Sequence, residues 1–393
     1  MDRSISVVII NISVFLLMIG VGMIMTLLPR QILNLTGSVA SVGYLASSFA
    51  VTYVLFQIPV GLLSDKMGFK PFLISGYFIC SLAGLLYYVS TSSLLVYFAR
   101  MLQGVGEVPI WAIAPALLAI LYPDHKGKFM GLYNACLHCG LTTGSFLGIL
   151  LPRFCQGQDA FLIFSGISFV GGLLIFLWVK PVKKDPGLLL SRIRFKDAIW
   201  LLKSSTLQKI LFGIALYGAG YGIFVTIIPG FLATIPHTTP ASVGIFFIFF
   251  YMAMGVSQLI AGYFSDKKGR KPFMLCGLLM AAVGLATFDN FNQTGFIGLL
   301  SFAAIGLGIF CASAMAFLNE CVPTSLKGTI SGVFFFSWGL GYFIGPLVLG
   351  RLADIGKLRT GFLCLSALLL LESIILWFGI KSRPQKICLT KRL

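Results

Sequence analysis

The chain has 393 residues, of which 58% are hydrophobic and only 10% charged, and its mean hydropathy is +0.96. Soluble domains carry roughly 25% charged residues, so a water-soluble fold is excluded and an integral membrane protein is expected. The net charge of +17 is read as an orientation signal and a contact for anionic lipid, because no soluble domain is large enough to spend it on nucleic acid.

Apolar runs near the ~20 residues that span a bilayer fall at 5–28, 41–63, 72–90, 94–121, 128–151 and 160–179, then at 207–232, 242–264, 273–289, 295–318, 329–350 and 361–380. They predict an all-α membrane protein with twelve transmembrane helices. No small-residue cleavage site follows the first run, which reads as a retained helix and not a signal peptide. Between the second and third runs lies Gly61-Leu-Leu-Ser-Asp65-Lys66-Met-Gly68-Phe69-Lys70-Pro71. Here Gly61 and Gly68 permit a close approach and a sharp turn. Asp65 suits a helix N-terminus or a basic partner, and Pro71 a first helical turn.

The fourth run carries Arg100-Met-Leu-Gln103-Gly104-Val-Gly106-Glu107. Charges at that depth are tolerated where they pair or line a wet cavity. Seven residues of helix rise about 10.5 Å, so Arg100 and Glu107 are expected to line one cavity at different depths without touching. A desolvated Glu107 is the expected proton or cation site, and Pro109, lacking an amide for the Val105 carbonyl, is expected to bend the helix beside it. The fifth run holds Gly131, Gly140, Gly144 and Gly148, small residues that suit close helix packing. It also holds Cys136-Leu-His138-Cys139. No second ligand pair accompanies those cysteines, so they read as packing residues, and neither metal nor cofactor is expected. Nine scattered cysteines form no disulfide framework.

After the sixth run, 180–206 opens Lys-Pro-Val-Lys-Lys-Asp-Pro-Gly and then alternates basic with bulky apolar residues. It reads as a cytoplasmic tether lying at the membrane interface. Beyond it the chain repeats. The loop returns as Gly262-Tyr-Phe-Ser-Asp266-Lys-Lys-Gly269-Arg270-Lys271-Pro272. Pro29 corresponds to Pro229, Ser41-Val42-Gly43 to Ser242-Val243-Gly244, and Pro123 to Pro323; Gly131, Gly140 and Gly144 correspond to Gly332, Gly341 and Gly345. A near-constant offset predicts two parallel six-helix bundles, 1–179 and 207–393. With the N-terminus inside, only Arg30, Arg153, Arg351, Lys357 and Arg359 fall outside and Arg100 lies within a helix, which leaves 23 of 29 basic residues in cytoplasmic segments. Both termini are therefore expected in the cytoplasm.

Together these residues resemble the major facilitator superfamily of twelve-helix secondary transporters, over the whole chain. Its loop motif runs Gly-x-x-x-Asp-Arg/Lys-x-Gly-Arg-Lys/Arg-Pro. The second copy fits throughout, whereas the first has Phe69 where Arg270 stands, leaving Asp65 to Lys66, Lys70 or a helix dipole. The resemblance implies alternating access of two bundles about a central site, with Gly61, Asp65, Lys66, Gly68, Lys70, Asp266 and Arg270 as a cytoplasmic gate. Arg100-x-x-Gln-Gly-x-Gly looks like a second family motif, whose Arg is linked to proton coupling in drug exporters. The glycines of the fifth run partly match the exporters' glycine motif, with Ser145 in place of its Pro, while Gly345-Pro346 keeps that pair.

The expected activity is proton-coupled export of a small organic molecule by a monomeric, non-enzymatic transporter of the cytoplasmic membrane. The alternatives are proton symport of a metabolite, anionic in view of Arg30 and Arg100, or export of a siderophore-like chelator. No phosphate-binding loop supports an ATP-driven pump. Candidates for the cavity wall are Asn11, Gln57, Gln103, Trp111, Asn134, His138, Tyr217, Tyr221, Gln258 and Trp338, with Tyr53, Tyr251 and Tyr342 as further aromatics. Glu320 is expected to pair with the second loop, and Glu372 to face a neighbouring helix.

Overall fold

The computed structural model describes residues 3–122, 126–151, 154, 158–181, 204–234, 240–287, 293–322 and 327–381. Most of the expected tether and the basic C-terminal tail lie outside the described residues, as do the side chains of Asp65 and Lys66. Every regular element described is helical, and twelve helices run 16 residues or more. They are α1 Arg3–Met25, α2 Val39–Met67, α3 Phe69–Val89, α4 Ser93–Val108, α5 Lys126–Leu150, α6 Asp159–Trp178, α7 Ser205–Val225, α8 Pro240–Lys268, α9 Arg270–Thr287, α10 Gln293–Cys321, α11 Lys327–Asp354 and α12 Leu358–Gly379.

Eleven stretches among the described residues are long and apolar enough to cross a membrane, one fewer than the sequence suggests. The helix left out is α5, which has 25 residues and is not short. Asn134, His138, Thr142, Thr143 and Ser145 lower its hydropathy. His138 Nδ1 lies 2.9 Å from the Asn134 carbonyl, while the Thr142 and Ser145 hydroxyls donate to the His138 and Leu141 carbonyls, each at 2.9 Å. Polar groups turned back on their own helix suit an interior away from water. Accordingly α5 packs against both α1 and α8.

The duplication governs the packing. Helix α1 packs on α5 and α6 as α7 does on α11 and α12; α3 packs on α4 and α6 as α9 does on α10 and α12; α2 packs on α4 as α8 does on α10. The two sets meet through α2 with α11 and α5 with α8. Even the helix breaks repeat. Pro29 and Pro229 lack the amide that would bond the carbonyl four residues earlier. So α1 stops at Met25 and resumes as Leu28–Thr36, and α7 stops at Val225 and resumes as Ile227–Thr234. Beside each break a threonine hydroxyl turns back on its own helix, Thr26 donating to the Met23 carbonyl and Thr226 to the Gly222 carbonyl, both at 2.7 Å.

The charged loops are tighter than their sequences suggest. Helix α2 runs to Met67 and α3 starts at Phe69, so the turn is Gly68 alone, at φ +92°; Gly269, at φ +88°, turns α8 into α9. Side-chain-bearing residues rarely adopt such angles, which accounts for glycine at both places. Where a bend was expected at Pro109 the helix makes one π-helical turn, Pro109–Ile113, starting two residues after Glu107.

Glycines also mark where helices touch. A Cβ on Gly140 would lie 2.7 Å from the Phe15 carbonyl oxygen, and one on Gly144 would strike the Ile19 carbonyl. In the second half, Gly341 meets the Ala215 carbonyl, and a Cβ on Gly345 would lie 2.7 Å from the Ala219 Cα. Between the halves, Gly43 faces the Pro346 carbonyl and Gly244 faces Ile149. Gly43 and Gly244 lie at the end where α2 and α8 begin, Gly144 and Gly345 lean toward it, and Gly140 and Gly341 sit at mid-helix. At the other end Gly61, Gly131, Gly262 and Gly332 have nothing within 4 Å of a Cβ. The close approach expected of Gly61 is therefore not made in this conformation, and the four glycines together point to an opening between the halves at that end.

Candidate functional site

Gln103 follows Arg100 by three residues and precedes Glu107 by four, so the three side chains stack along one face of α4. Gln103 Oε1 accepts from Arg100 Nη1 and from the Tyr87 hydroxyl, both at 2.8 Å, and its Nε2 donates to Glu107 Oε1 at 2.8 Å. Trp111, carried on the π turn, donates Nε1 to Glu107 Oε2 at 3.0 Å. Arg100, Gln103 and Glu107 are exposed by only 2%, 0% and 4%. Arg100 and Glu107 were expected to line one cavity at different depths without touching; they do not touch, and both are buried here. Gln103 spans the gap between them, and the Phe49 ring covers the guanidinium at 4.7 Å. A cation and an acid held in one sealed chain balance each other, and removing either leaves the other buried without compensation.

Aromatic rings from both halves close over this chain. Phe49 and Tyr53 of α2 stack at 5.5 Å; Phe49 lies 5.8 Å from Tyr342, and Tyr53 lies 5.7 Å from Trp338, both on α11. Tyr221 of α7 joins Trp338 at 5.7 Å and Tyr217 at 6.2 Å. The candidates Tyr217, Tyr221 and Trp338 are thus brought together, beside Arg100. Phe49 and Tyr87 are additions that sequence reasoning missed. Phe49 is one of 36 phenylalanines, and nothing in an apolar helix marks either residue.

Of the remaining candidates, Gln57 lies by the Tyr53 hydroxyl beside this cluster, and the others lie apart. Asn11 and Phe15 of α1, Tyr122, and Phe129, Leu132 and Cys136 of α5 line a cavity of about 470 Å³. Asn11 Nδ2 donates to the Val7 carbonyl at 2.8 Å, and its buried Oδ1 has no partner. His138 abuts Gly255 of α8, and Asn134 is exposed. Gln57 and Gln258 are half-buried on α2 and α8. Cys136 and Cys139 are free thiols, and among the described residues no three His, Cys, Asp or Glu side chains gather as a metal site.

The two loop copies differ in their contacts. Arg270 pairs with Asp266 and, at 2.8 Å, with Glu320 of α10, and its Nη1 bonds the Ser265 hydroxyl at 2.6 Å. In the first copy Phe69 is buried in the corresponding place. Lys70, considered above as a partner for Asp65, whose side chain lies outside the described residues, donates to the Phe176 carbonyl at 2.7 Å, at the end of α6. Lys271 does the same at the end of α12, reaching the Trp377 and Ile380 carbonyls at 2.6 and 2.8 Å. Each lysine thus satisfies carbonyls that a helix end leaves free, and places a cation where the helix dipole favours one.

At the closed end Asp354 ties the halves together. Asp354, ending α11, accepts from the Ser38 hydroxyl at 2.5 Å and from the Val39 and Ala40 amides at 2.8 and 3.1 Å, which are free donors at the start of α2. Asp354→Ala should remove this cap, worth about 1 kcal/mol, and shift the equilibrium toward opening at that end by roughly fivefold. In a cysteine-free background, a Val42→Cys thiol, buried here, should then react faster with a water-soluble maleimide. An unchanged rate would show that the clasp does not hold the halves together.

Residues 10–204 and 210–392 match the family model described as Major Facilitator Superfamily. The MFS-type transporter MJ1560 of Methanocaldococcus jannaschii is 24% identical, over 89% of this chain and 92% of that protein. The D-galactonate transporter of Escherichia coli is 24% identical over 85% of each chain. The chromaffin granule amine transporter of Rattus norvegicus is 25% identical, over 80% of this chain and 61% of that protein. Among solved structures, the nucleoside transporter NupG superposes with a TM-score of 0.79 at 16% identity, covering 95% of this chain and all 100% of its own. A bacterial homologue of the human lysosomal transporter Spinster, inward-facing and occupied, gives 0.80 at 15% identity over 95% and 96%. At such identities these superpositions establish the fold alone.

Proposed function

Because the chain belongs to the Major Facilitator Superfamily, we propose that it is a secondary active transporter that exports a small, partly apolar organic molecule in exchange for protons. In this reading α5 is the twelfth span, 1–179 and 207–393 are the rocking bundles, and both termini lie in the cytoplasm. The open end beside Gly68 and Gly269 then faces inward, and the Asp354 clasp closes the outside of a cytoplasmic membrane.

The observation that carries the proposal is the sealed chain Arg100–Gln103–Glu107–Trp111 beneath rings contributed by both halves. Glu107 is the acid on which substrate and proton compete. A proton arriving there removes the charge that balances Arg100 and weakens the bonds from Gln103 and Trp111. The interface built by Phe49, Tyr53, Trp338 and Tyr342 is then free to repack. Aromatic faces beside a single acid suit an organic amine, and the amine transporter at 25% identity supports that class.

Uptake of an anion draws less support, because Arg100 is buried and bonded to Gln103. Vesicles holding the purified protein, a pH gradient and a panel of organic amines and sugar acids test the reading. Exchange predicts that an amine moves against the proton flux. Movement of a sugar acid in the same direction as protons would replace export with symport.

A further inference from the structure

The second half contains an acid with no counterpart in the first. Glu372 lies within α12, 0% exposed, and neither of its carboxyl oxygens has a hydrogen-bond partner. Its space is provided by a glycine. A Cβ on Gly213 of α7 would lie 2.8 Å from Glu372 Oε1 and 2.9 Å from the Phe310 ring of α10. At the repeat offset of 201, the first half has Gly171 in α6, and there the Ser13 hydroxyl of α1 donates to the Gly171 carbonyl at 3.2 Å. The helix pair α1/α6 therefore packs without an acid, whereas α7/α12 sets one into its seam.

Among the described residues no cation pairs with Glu372. Lys209 of α7 sits one turn from Gly213, with Nζ 2.7 Å from where a Gly379 Cβ would be. Lys271 of α9 caps α12, Arg270 holds Asp266 and Glu320, and Arg351 of α11 is exposed toward the far end. The other titratable groups nearby are Tyr217 of α7, whose ring lies 6.5 Å from Phe310, and the thiols of Cys311 on α10, Cys276 on α9 and Cys364 on α12, the last two exposed. A bare carboxylate at Glu372 would lie against the Gly213 backbone and the Phe310 ring with no side-chain donor and no counter-charge in contact, a cost of several kcal/mol.

We propose that Glu372 is a second proton-binding site, set in the α7/α12 seam and separate from Glu107. In this setting the carboxyl holds a proton. When that proton leaves, Lys209 is the cation within reach: it shares the Gly213 face of α7, about 6 Å along the helix. Its movement would free the end of α12, so that charge at Glu372 is communicated to the corner formed by Lys271 and Trp377.

Infrared difference spectra of the full chain in lipid nanodiscs, recorded across pH in H2O and D2O, test this. A protonated carboxyl band that titrates and shifts in D2O should be lost in Glu372→Gln and kept in Glu107→Gln. A spectrum unchanged by Glu372→Gln, or a Glu372 band that neither titrates nor shifts, would overturn the proposal. Should Glu372→Gln fold poorly, the unaltered protein can be treated with dicyclohexylcarbodiimide, which adds to protonated carboxyls in apolar surroundings, and mapped by mass spectrometry. Labelling at Glu372 should fall about tenfold per pH unit beyond its midpoint. Label that is absent, or flat across pH, would equally overturn it. Neither measurement depends on substrate or on Glu107, so the export reading stands or falls separately.

Discussion

Glu107→Gln is expected to reduce proton-driven transport to the level of protein-free vesicles while the protein still folds and inserts. The substitution keeps shape and volume but removes the group that takes up a proton. It also disturbs the local bonds. Glu107 accepts from both Gln103 and Trp111, and a glutamine offers only one acceptor atom, so one of the two bonds is lost, at about 1 kcal/mol. Arg100 meanwhile loses its counter-charge in an apolar setting, which lowers the melting temperature further. The measurement is proton flux from a pH-sensitive dye inside vesicles, with circular dichroism on the same preparation. Retained flux with retained fold would remove Glu107 from coupling. Gln103→Leu offers a second reading of the same chain: both charges stay but the link between them goes, so flux should fall even though a carboxyl remains.

Much of the architecture was legible because glycine and proline act locally. A proline withholds its amide wherever it stands, so Pro29 and Pro229 break their helices alike, and Gly68 and Gly269 turn corners that few other residues could. The site was less legible because its bonds connect helices. Arg100 and Glu107 were marked by charge, and the spacings of three and four that place Gln103 between them were present in the sequence. Phe49 and Tyr87, by contrast, are ordinary apolar-helix residues whose roles exist only once α2, α3 and α4 are packed. The partners of Asp354 lie over 300 residues away and left no periodic trace. The lysine caps were partly visible, since Lys70 and Lys271 share the offset that relates Phe176 to Trp377. What the motif did not disclose is that each lysine reaches the end of a neighbouring helix.

Gly341→Val and Gly332→Val should fail in different ways, although both change a glycine of α11. At Gly341 the new Cβ runs into the Ala215 carbonyl. Backbone cannot swing aside as a side chain can, so α7 and α11 must separate along their length. Overpacking typically costs 1–3 kcal/mol and more where nothing can yield, and the folded yield by gel filtration should drop sharply. At Gly332 nothing lies within 4 Å, so the variant should fold. Its defect should appear in the cycle. Contacts between α2 and α11 run antiparallel, Gly43 with Pro346 and Val54 with Gly339. Seven residues further along the same faces come Gly61 and Gly332, across the open gap. Helices α5 and α8 follow the same register, Ile149 with Gly244 and His138 with Gly255, which sets Gly131 opposite Gly262. Closing that end would bring glycine against glycine in both pairs, allowing backbones to approach as they now do at Gly43. Gly332→Val should therefore retain the fold yet slow transport severely. Cysteines at 61 and 332, in a background without others, should cross-link only when the end closes, since a disulfide needs Cα atoms within about 7 Å. Wild-type turnover in Gly332→Val, together with no cross-link under any gradient, would mean that closure does not follow this register.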